Sequence, residues 1–134
     1  MRSHLKAATA ARAIVVLVLT AAATLAFSAP ASATNFGSRI TIRTTLPLYH
    51  GKVHSPRQSF CEESRRVVLF QKVKGGDVKV GKTLTNRKGK WTVKVPSAAL
   101  MPGEKFYALV RRDDLGNQIV CDKAKSDKVT FTGG

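Results

Sequence analysis

The segment that decides the fold of this chain is residues 65–73, RRVVLFQKV. It contains four consecutive apolar residues, Val67, Val68, Leu69 and Phe70. Because neighbouring side chains of a strand point to opposite faces, such a run is apolar on both faces. A strand of this kind is covered on both sides and lies in the interior of a sheet. We therefore expect residues 65–73 to form a central strand.

On both sides of this segment, the chain reads as short alternating strands that are separated by turn residues. A Gly75-Gly76-Asp77 turn leads into residues 78–85, and residues 90–95 direct Trp91, Val93 and Val95 to one face. Further runs of this type are residues 39–46, 49–54, 105–111, 118–121 and 129–131. The pattern amounts to seven or eight strands spaced about ten residues apart, without a long helix. It predicts an all-β protein, either an antiparallel sandwich or a barrel, and we expect the sandwich. Residues 34–38 and the C-terminal glycines are expected to be mobile.

Residues 1–33 have the pattern of a secretory signal peptide. Arg2, Lys6 and Arg12 form a basic head, residues 14–27 are uncharged and mostly apolar, and a small-residue cleavage site ends at Ala33. The apolar run is shorter than the roughly 20 residues of a membrane span. We expect cleavage after Ala33 and a secreted, extracellular domain of residues 34–134, with no transmembrane segment.

The two cysteines, Cys61 and Cys121, both lie in this domain. In an oxidising compartment, two cysteines of a small domain most simply form one disulfide. The bridge would close a loop of about 60 residues and stabilise the domain by roughly 4 kcal/mol in the chain-entropy account. The alternatives are a reactive thiol or half of a metal site, and a metal site needs more ligands than His50 and His54 provide.

The domain is strongly basic. Three of the 23 Lys and Arg residues lie in the signal peptide and all eight acidic residues follow it, so the domain has a net charge of +12. Such a charge attracts polyanions, including nucleic acid, anionic envelope polymers, acidic polysaccharides and anionic lipid headgroups. A high net charge also keeps a small protein dispersed, which is the simpler explanation.

Eight basic residues are candidates for polyanion binding. They form two groups on neighbouring hairpins, Lys72, Lys74, Lys79 and Lys82 in one and Arg87, Lys88, Lys90 and Lys94 in the other. We expect the groups to merge across neighbouring strands into one surface that binds polyanions with a strong salt dependence. Exposed aromatic residues for base stacking are scarce, Tyr107 being the main one, so specific nucleic-acid recognition is not expected.

No constellation of residues indicates catalysis, a metal site or a cofactor. His50 and His54 are four apart in a strand, which separates them by about 13 Å. The acidic pairs Glu62-Glu63 and Asp113-Asp114 stand next to arginine pairs, and local charge balance explains them. No serine lies in a nucleophile elbow, and the turn at Gly75 lacks the G-K-[ST] of a phosphate loop.

Several motifs in order along the chain resemble those of the transthyretin-like (prealbumin-like), or carboxypeptidase-regulatory-like, Ig-type β-sandwiches of secreted bacterial proteins. The matching residues are Val67-x-Leu69, Thr83-x-Thr85-Asn86, Gly89-x-Trp91 and Pro102-Gly103-x-x-Phe106-Tyr107. Gly89 has its own physical reason, because the turn needs a residue that tolerates a positive φ. The resemblance implies an accessory, binding or structural module rather than an enzyme, and it supplies no catalytic residue.

The sequence thus predicts a secreted, non-catalytic β-sandwich with an accessory, binding or structural role. A second hypothesis is a cationic effector that binds anionic polymers or membranes. A third is a protease inhibitor that presents residues 97–104 as its loop. The expected partner is an anionic cell-envelope polymer or another extracellular protein.

Overall fold

The computed structural model describes residues 32–56 and 59–133 of the chain. These residues form an all-β protein, an antiparallel β-sandwich. Almost all of the predicted signal peptide, residues 1–33, lies outside the described residues.

Twelve strands and two short 3-10 helices make up the described residues, against the expected seven or eight strands. The difference arises because several strands contain only two to four residues. The strands are β1 (Thr34–Phe36), β2 (Arg39–Ile40), β3 (Arg43–Thr45), β4 (Leu48–His54), β5 (Arg66–Val73), β6 (Gly76–Leu84), β7 (Lys90–Lys94), β8 (Lys105–Val110), β9 (Asp113–Gly116), β10 (Ile119–Cys121), β11 (Ala124–Lys125) and β12 (Val129–Thr130). The helices are Ser59–Cys61 and Ser97–Ala99.

The five-stranded sheet confirms that the apolar run forms a central strand. Its order is β11-β8-β5-β6, and β12 also pairs with β8. β5 lies between β8 and β6 and is antiparallel to both. Val67 and Leu69 face the core, while Val68 is buried on the opposite face of the same sheet. Apolar residues are therefore buried on both faces of β5, as its sequence predicts.

The four-stranded sheet is centred on β4, which pairs with β2 and β3 on one side and with β7 on the other. The expected single strand over residues 39–46 is wrong in detail, because β2 and β3 are separate strands. β3 and β4 form a hairpin whose turn is Leu46 and Pro47, joined by a cis peptide bond. Leu46 is exposed in this turn and does not continue the buried face of Ile40 and Ile42.

A third sheet has the order β1-β10-β9, with β1 parallel to β10. Two expectations were wrong here. Residues 34–36 are a paired strand rather than part of a mobile end. The turn expected over residues 114–117 lies at Asn117 and Gln118, both of which have positive φ, and residues 113–116 form β9.

The core lies between the two larger sheets. From the four-stranded sheet, Tyr49, Trp91 and Val93 point inward, and Val95 after β7 joins them. The rings of Tyr49 and Phe106 lie 4.8 Å apart between their centroids and link the two sheets. The inward direction of residues 91, 93 and 95 is confirmed. Since alternate residues fill the core, the residues between them are left on the outer face of each sheet.

Two glycines allow close backbone approaches in this sandwich. Gly81 of β6 lies against Val93, and a Cβ atom there would come within 2.3 Å of the Val93 Cγ1. Gly89 has φ of +73°, and a Cβ atom there would come within 2.3 Å of the Val53 carbonyl oxygen. The tolerance of positive φ expected at position 89 is therefore used by the turn before β7.

The disulfide between Cys61 and Cys121 is confirmed, and both cysteines are fully buried. It joins the short helix before β5 to β10 of the third sheet. The two residues are 60 positions apart, so the bridge closes most of the domain into one loop.

We expect the double substitution of Cys61 and Cys121 by Ala to lower the free energy of unfolding by about 4 kcal/mol. The reason is that the open chain gains the conformational freedom of the loop when it unfolds. Urea denaturation of the oxidised protein and the variant measures the difference. The reduced wild type is the control and should match the variant, and a loss below about 1 kcal/mol would contradict the chain-entropy argument.

Candidate anion-binding faces

The outer faces of the two larger sheets are the main cationic surfaces that strand register defines. We call them the five-stranded face and the four-stranded face. Residues that stand opposite each other in the register of two strands share a face. The register therefore shows which basic side chains lie together, even where they are far apart in sequence.

The five-stranded face consists of rows that cross β6, β5 and β8. In order along β5, the rows are Leu84–Arg66, Lys82–Val68–Leu109, Lys79–Phe70–Tyr107 and Asp77–Lys72–Lys105. The cationic residues in these rows are exposed, whereas Val68 and Tyr107 are buried between them. The face thus has an apolar centre bordered by positive charge.

The four-stranded face consists of rows that cross β3, β4 and β7, with β2 beside the end of β4. The rows are Thr45–Leu48–Lys94, Arg43–His50–Thr92, Lys52–Lys90 and Arg39–His54. All four strands lie within the described residues, and none of them contains an Asp or a Glu. The face therefore carries five cations, Arg39, Arg43, Lys52, Lys90 and Lys94, with no carboxylate in its own strands.

The eight predicted basic residues are all exposed, but they do not form one surface. Lys72, Lys79 and Lys82 lie on the five-stranded face, whereas Lys90 and Lys94 lie on the four-stranded face. The remaining three are in turns, Lys74 between β5 and β6 and Arg87 and Lys88 between β6 and β7. The expected merger is wrong because β6 pairs with β5 and β7 pairs with β4, so the two hairpin strands belong to different sheets.

Ion pairs neutralise some of these charges. The Lys72 Nζ atom lies 3.3 Å from the Asp77 Oδ1 atom, and the Arg87 Nε atom lies 3.6 Å from the Glu63 Oε1 atom. Glu62 accepts a hydrogen bond from the Ser55 amide at 2.9 Å and lies 2.9 Å from the His54 Nδ1 atom. The expectation that Arg65 and Arg66 balance Glu62 and Glu63 is therefore wrong.

Like charges face each other on the four-stranded face. Lys52 of β4 and Lys90 of β7 are direct partners in the register, and both are exposed. Like charges at directly opposed positions of a sheet are destabilising. A bound anion would remove this repulsion, so the arrangement favours an anionic ligand over an empty surface.

Tyr107 lies at the centre of the five-stranded face and is only 7% exposed. Its ring stacks on Phe70 with a centroid distance of 5.4 Å, and the Lys125 Nζ atom lies 4.1 Å from its centroid. Its hydroxyl donates to Asp77, and this bond, with burial, raises the pKa of Tyr107 to about 12. The same bond, assisted by Lys72, lowers the pKa of Asp77. These contacts occupy the ring that the sequence offers for base stacking.

Arg65 is a structural residue that sequence reasoning missed. Its side chain is fully buried, and its Nη1 atom donates to the Cys61 carbonyl at 2.6 Å. The Nη2 atom donates to the carbonyls of Arg111 at 2.8 Å and Asp122 at 2.9 Å. Burial lowers the pKa of the Arg65 guanidinium, and the negative charges of Asp113 and Asp122 oppose this shift. Arg65 therefore links three chain segments and is not available to a ligand.

The remaining functional candidates from the sequence are His50, His54 and the loop of residues 97–104, and they do not form one site. The His50 Nε2 atom lies 3.0 Å from the Thr45 Oγ1 atom, and His54 contacts Glu62. Within residues 32–56 and 59–133, no three His, Cys, Asp or Glu residues cluster as metal ligands do. The proposed inhibitory loop contains the short helix Ser97–Ala99, and Ala99 and Leu100 pack against the core.

No protein-family profile matches the chain, and the curated proteins contain no match to it. Among the described residues, no helix combines the length and the apolar character that crossing a bilayer requires.

Substituting Arg65 by Met is expected to lower the free energy of unfolding by about 2 to 4 kcal/mol. Met keeps much of the buried volume but leaves the carbonyls of three segments without hydrogen-bond donors. Each unsatisfied carbonyl costs about 1 to 3 kcal/mol of stability, and the removal of a buried charge offsets part of this cost. Urea denaturation measures the change. Arg66→Met is the control, since Arg66 is exposed, and it should change stability by less than about 0.5 kcal/mol. Equal effects of both variants would contradict the role of Arg65.

Replacing Asp77 by Asn is expected to lower the pKa of Tyr107 from about 12 towards 10.0, because the acceptor loses its charge. Tyrosinate absorbance during an alkaline titration measures this pKa.

The hydrogen bond of Tyr107 stabilises the folded state fully below pH 10.0, which is the unfolded pKa of this residue, and this stabilisation is lost as the pH rises through about 12. The lowered pKa of Asp77 stabilises the folded state at pH values above 3.8, which is the unfolded pKa of this residue. This stabilisation is lost as the pH falls through the lower pKa of the folded state. Asp114→Asn, on β9, is the control, and an unchanged titration in Asp77→Asn would contradict the bond.

Proposed function

We propose that this chain is a secreted, non-catalytic β-sandwich that binds anionic polymers outside the cell through its four-stranded face. The observation that carries the proposal is the charge of that face, which has five cations and no acidic residue in its strands. Solubility alone does not require such segregation, because interspersed charges of both signs disperse a small protein as well.

The geometry favours a polymer over a single small anion. The outward residues of β4 extend over seven residues from Leu48 to His54, a distance of about 20 Å along the strand. Lys90 and Lys94 lie along β7 at a spacing of about 13 Å. A ligand with repeated charges can contact several of these residues at once, and its affinity then depends strongly on salt.

The location and the absence of catalysis are part of the same proposal. Export is supported by the basic head, apolar run and small-residue site of residues 1–33, and a disulfide is typical of proteins outside the cytoplasm. The lack of a catalytic role is supported by the structural contacts that already occupy several acidic residues. Glu62 and Glu63 pair with His54 and Arg87, and Asp77 holds Tyr107.

We also propose that the sandwich is of the transthyretin-like, carboxypeptidase-regulatory-like type. The motif residues support this assignment through the strands in which they lie. Val67 and Leu69 lie in the central strand, Gly89 precedes Trp91 at the start of β7, and Phe106 lies in β8. Modules of this type serve as accessory or binding domains, which agrees with the proposed activity.

Substitution of Lys52, Lys90 and Lys94 by Gln in one variant is expected to weaken binding to heparin. The logarithm of the binding constant decreases linearly with the logarithm of the salt concentration, and the magnitude of this slope should decrease by about 2 to 3. The reason is that the variant releases about one counterion fewer from heparin for each lysine that is replaced. Titration calorimetry at several salt concentrations measures both quantities.

The matched control replaces Lys74, Lys123 and Lys128 by Gln. These three residues are exposed, lie outside the strands, and carry the same total charge. The control should bind heparin nearly as the wild type does. If the two triple variants lose the same affinity, net charge alone explains the binding and the proposed face is wrong.

A further inference from the structure

The five-stranded face ends in a pair of arginines that the basic groups in the sequence do not include. Arg66 of β5 stands opposite Leu84 of β6, and the Arg111 amide donates to the Arg66 carbonyl at 3.0 Å. The neighbours of the two arginines, Val67 and Val110, are fully buried in the core. Arg66 and Arg111 therefore lie side by side on the outer face, about 45 residues apart in the sequence.

The two arginines border a groove with a volume of about 440 Å³. Val68 lies in the same groove, and Lys79 and Lys82 of β6 line its other wall. Leu84 stands at its end and is 61% exposed. An adjoining cavity of about 360 Å³ shares Arg66, Leu84 and Arg111 with it and adds Arg112. The groove is thus lined mainly by cationic residues, and Leu84 is its exposed apolar residue.

The cations of the groove lack carboxylate partners in the described part of the chain. The salt bridges found there involve His54, Lys72 and Arg87, and none involves Arg66, Arg111 or Lys82. Asp113 is the one acidic residue that lines either cavity. The charge of the groove is therefore available to an anionic ligand.

We propose that this groove binds the phosphate groups of a phosphodiester polymer, with the guanidinium groups of Arg66 and Arg111 as the main contacts. A guanidinium presents two parallel N–H donors that match two oxygens of one phosphate, which an ammonium group does not do. Two adjacent guanidinium groups can bind the same phosphate or two successive ones.

The walls of the groove favour a chain as the ligand. Lys79 and Lys82 continue the positive charge along β6 away from the arginine pair, so a second phosphate finds a partner there. The exposed Leu84 provides an apolar contact for the uncharged units between phosphates. The groove lies on the five-stranded sheet, so this inference does not depend on the proposed activity of the four-stranded face.

The test compares two polymers of equal charge, poly(glycerol phosphate) and poly-L-glutamate, in binding to the full domain. Replacement of both Arg66 and Arg111 by Gln is expected to weaken poly(glycerol phosphate) binding by about 10- to 100-fold. The loss for poly-L-glutamate should be no more than about threefold, because the carboxylate polymer senses mainly the overall charge. Fluorescence anisotropy of labelled polymers measures both affinities.

Two further variants separate recognition from net charge. Substituting both arginines by Lys keeps the charge but removes the planar donor pairs, and should weaken phosphate binding by about 3- to 10-fold while leaving poly-L-glutamate unaffected. The matched control replaces Lys74 and Lys105 by Gln, which removes two charges at the other end of the same sheet, about 20 Å away. This control should lose no more than about threefold in affinity for either polymer, as expected from the change in overall charge.

Three results would overturn the inference. The first is an equal loss for both polymers in the Arg66→Gln/Arg111→Gln variant, and the second is a loss no larger than that of the lysine control. The third is arginine-dependent binding to phosphatidylglycerol vesicles that exceeds binding to poly(glycerol phosphate), which would make a membrane the ligand. If heparin binding through the four-stranded face fails its own test, these outcomes still decide the role of the groove.

Discussion

The buried guanidinium of Arg65, together with the disulfide beside it, links the segment before β5 to the ends of β8 and β10. The disulfide connects the helix before β5 to β10, and Arg65 binds carbonyls on the Cys61 and Asp122 sides of that bridge. It also binds the Arg111 carbonyl at the end of β8. A buried cation is favourable only when polar partners surround it, so these carbonyls fix the paths of three segments around one side chain.

This arrangement separates the residues that stabilise the fold from those that remain available to a ligand. Arg65 and Arg66 are neighbours in sequence, yet one is fully buried and the other is exposed. Trp91, Val93 and Tyr49 fill the core, and the alternate residues of their strands carry the surface charge. Because the outer residues contribute little to the core, the two faces can hold an excess of positive charge at a small cost in stability.

Local sequence was sufficient to predict the elements whose direction depends on alternation. The central position of β5 followed from its unbroken apolar run, and the inward side of β7 followed from a period of two. The Cys61–Cys121 bridge followed from composition and the expected compartment. Alternation carries no information on β1, whose residues 34–36 have no apolar period and are held by parallel pairing with β10. Alternation places Arg65 on the side of Val67 and Leu69, but a charged residue is not expected in the interior from sequence alone.

The candidate binding residues were harder to predict because strand pairing, and not sequence distance, decides which charges meet. Lys82 and Lys90 are close in sequence but lie on different sheets, whereas Arg66 and Arg111 are far apart in sequence and adjacent in the structure. A basic hairpin therefore predicts that a surface is cationic without predicting its shape. The Arg66–Arg111 pair and the Lys52–Lys90 pair both arise from long-range register, so a substitution that shifted the pairing by one residue would move these charges to the core face.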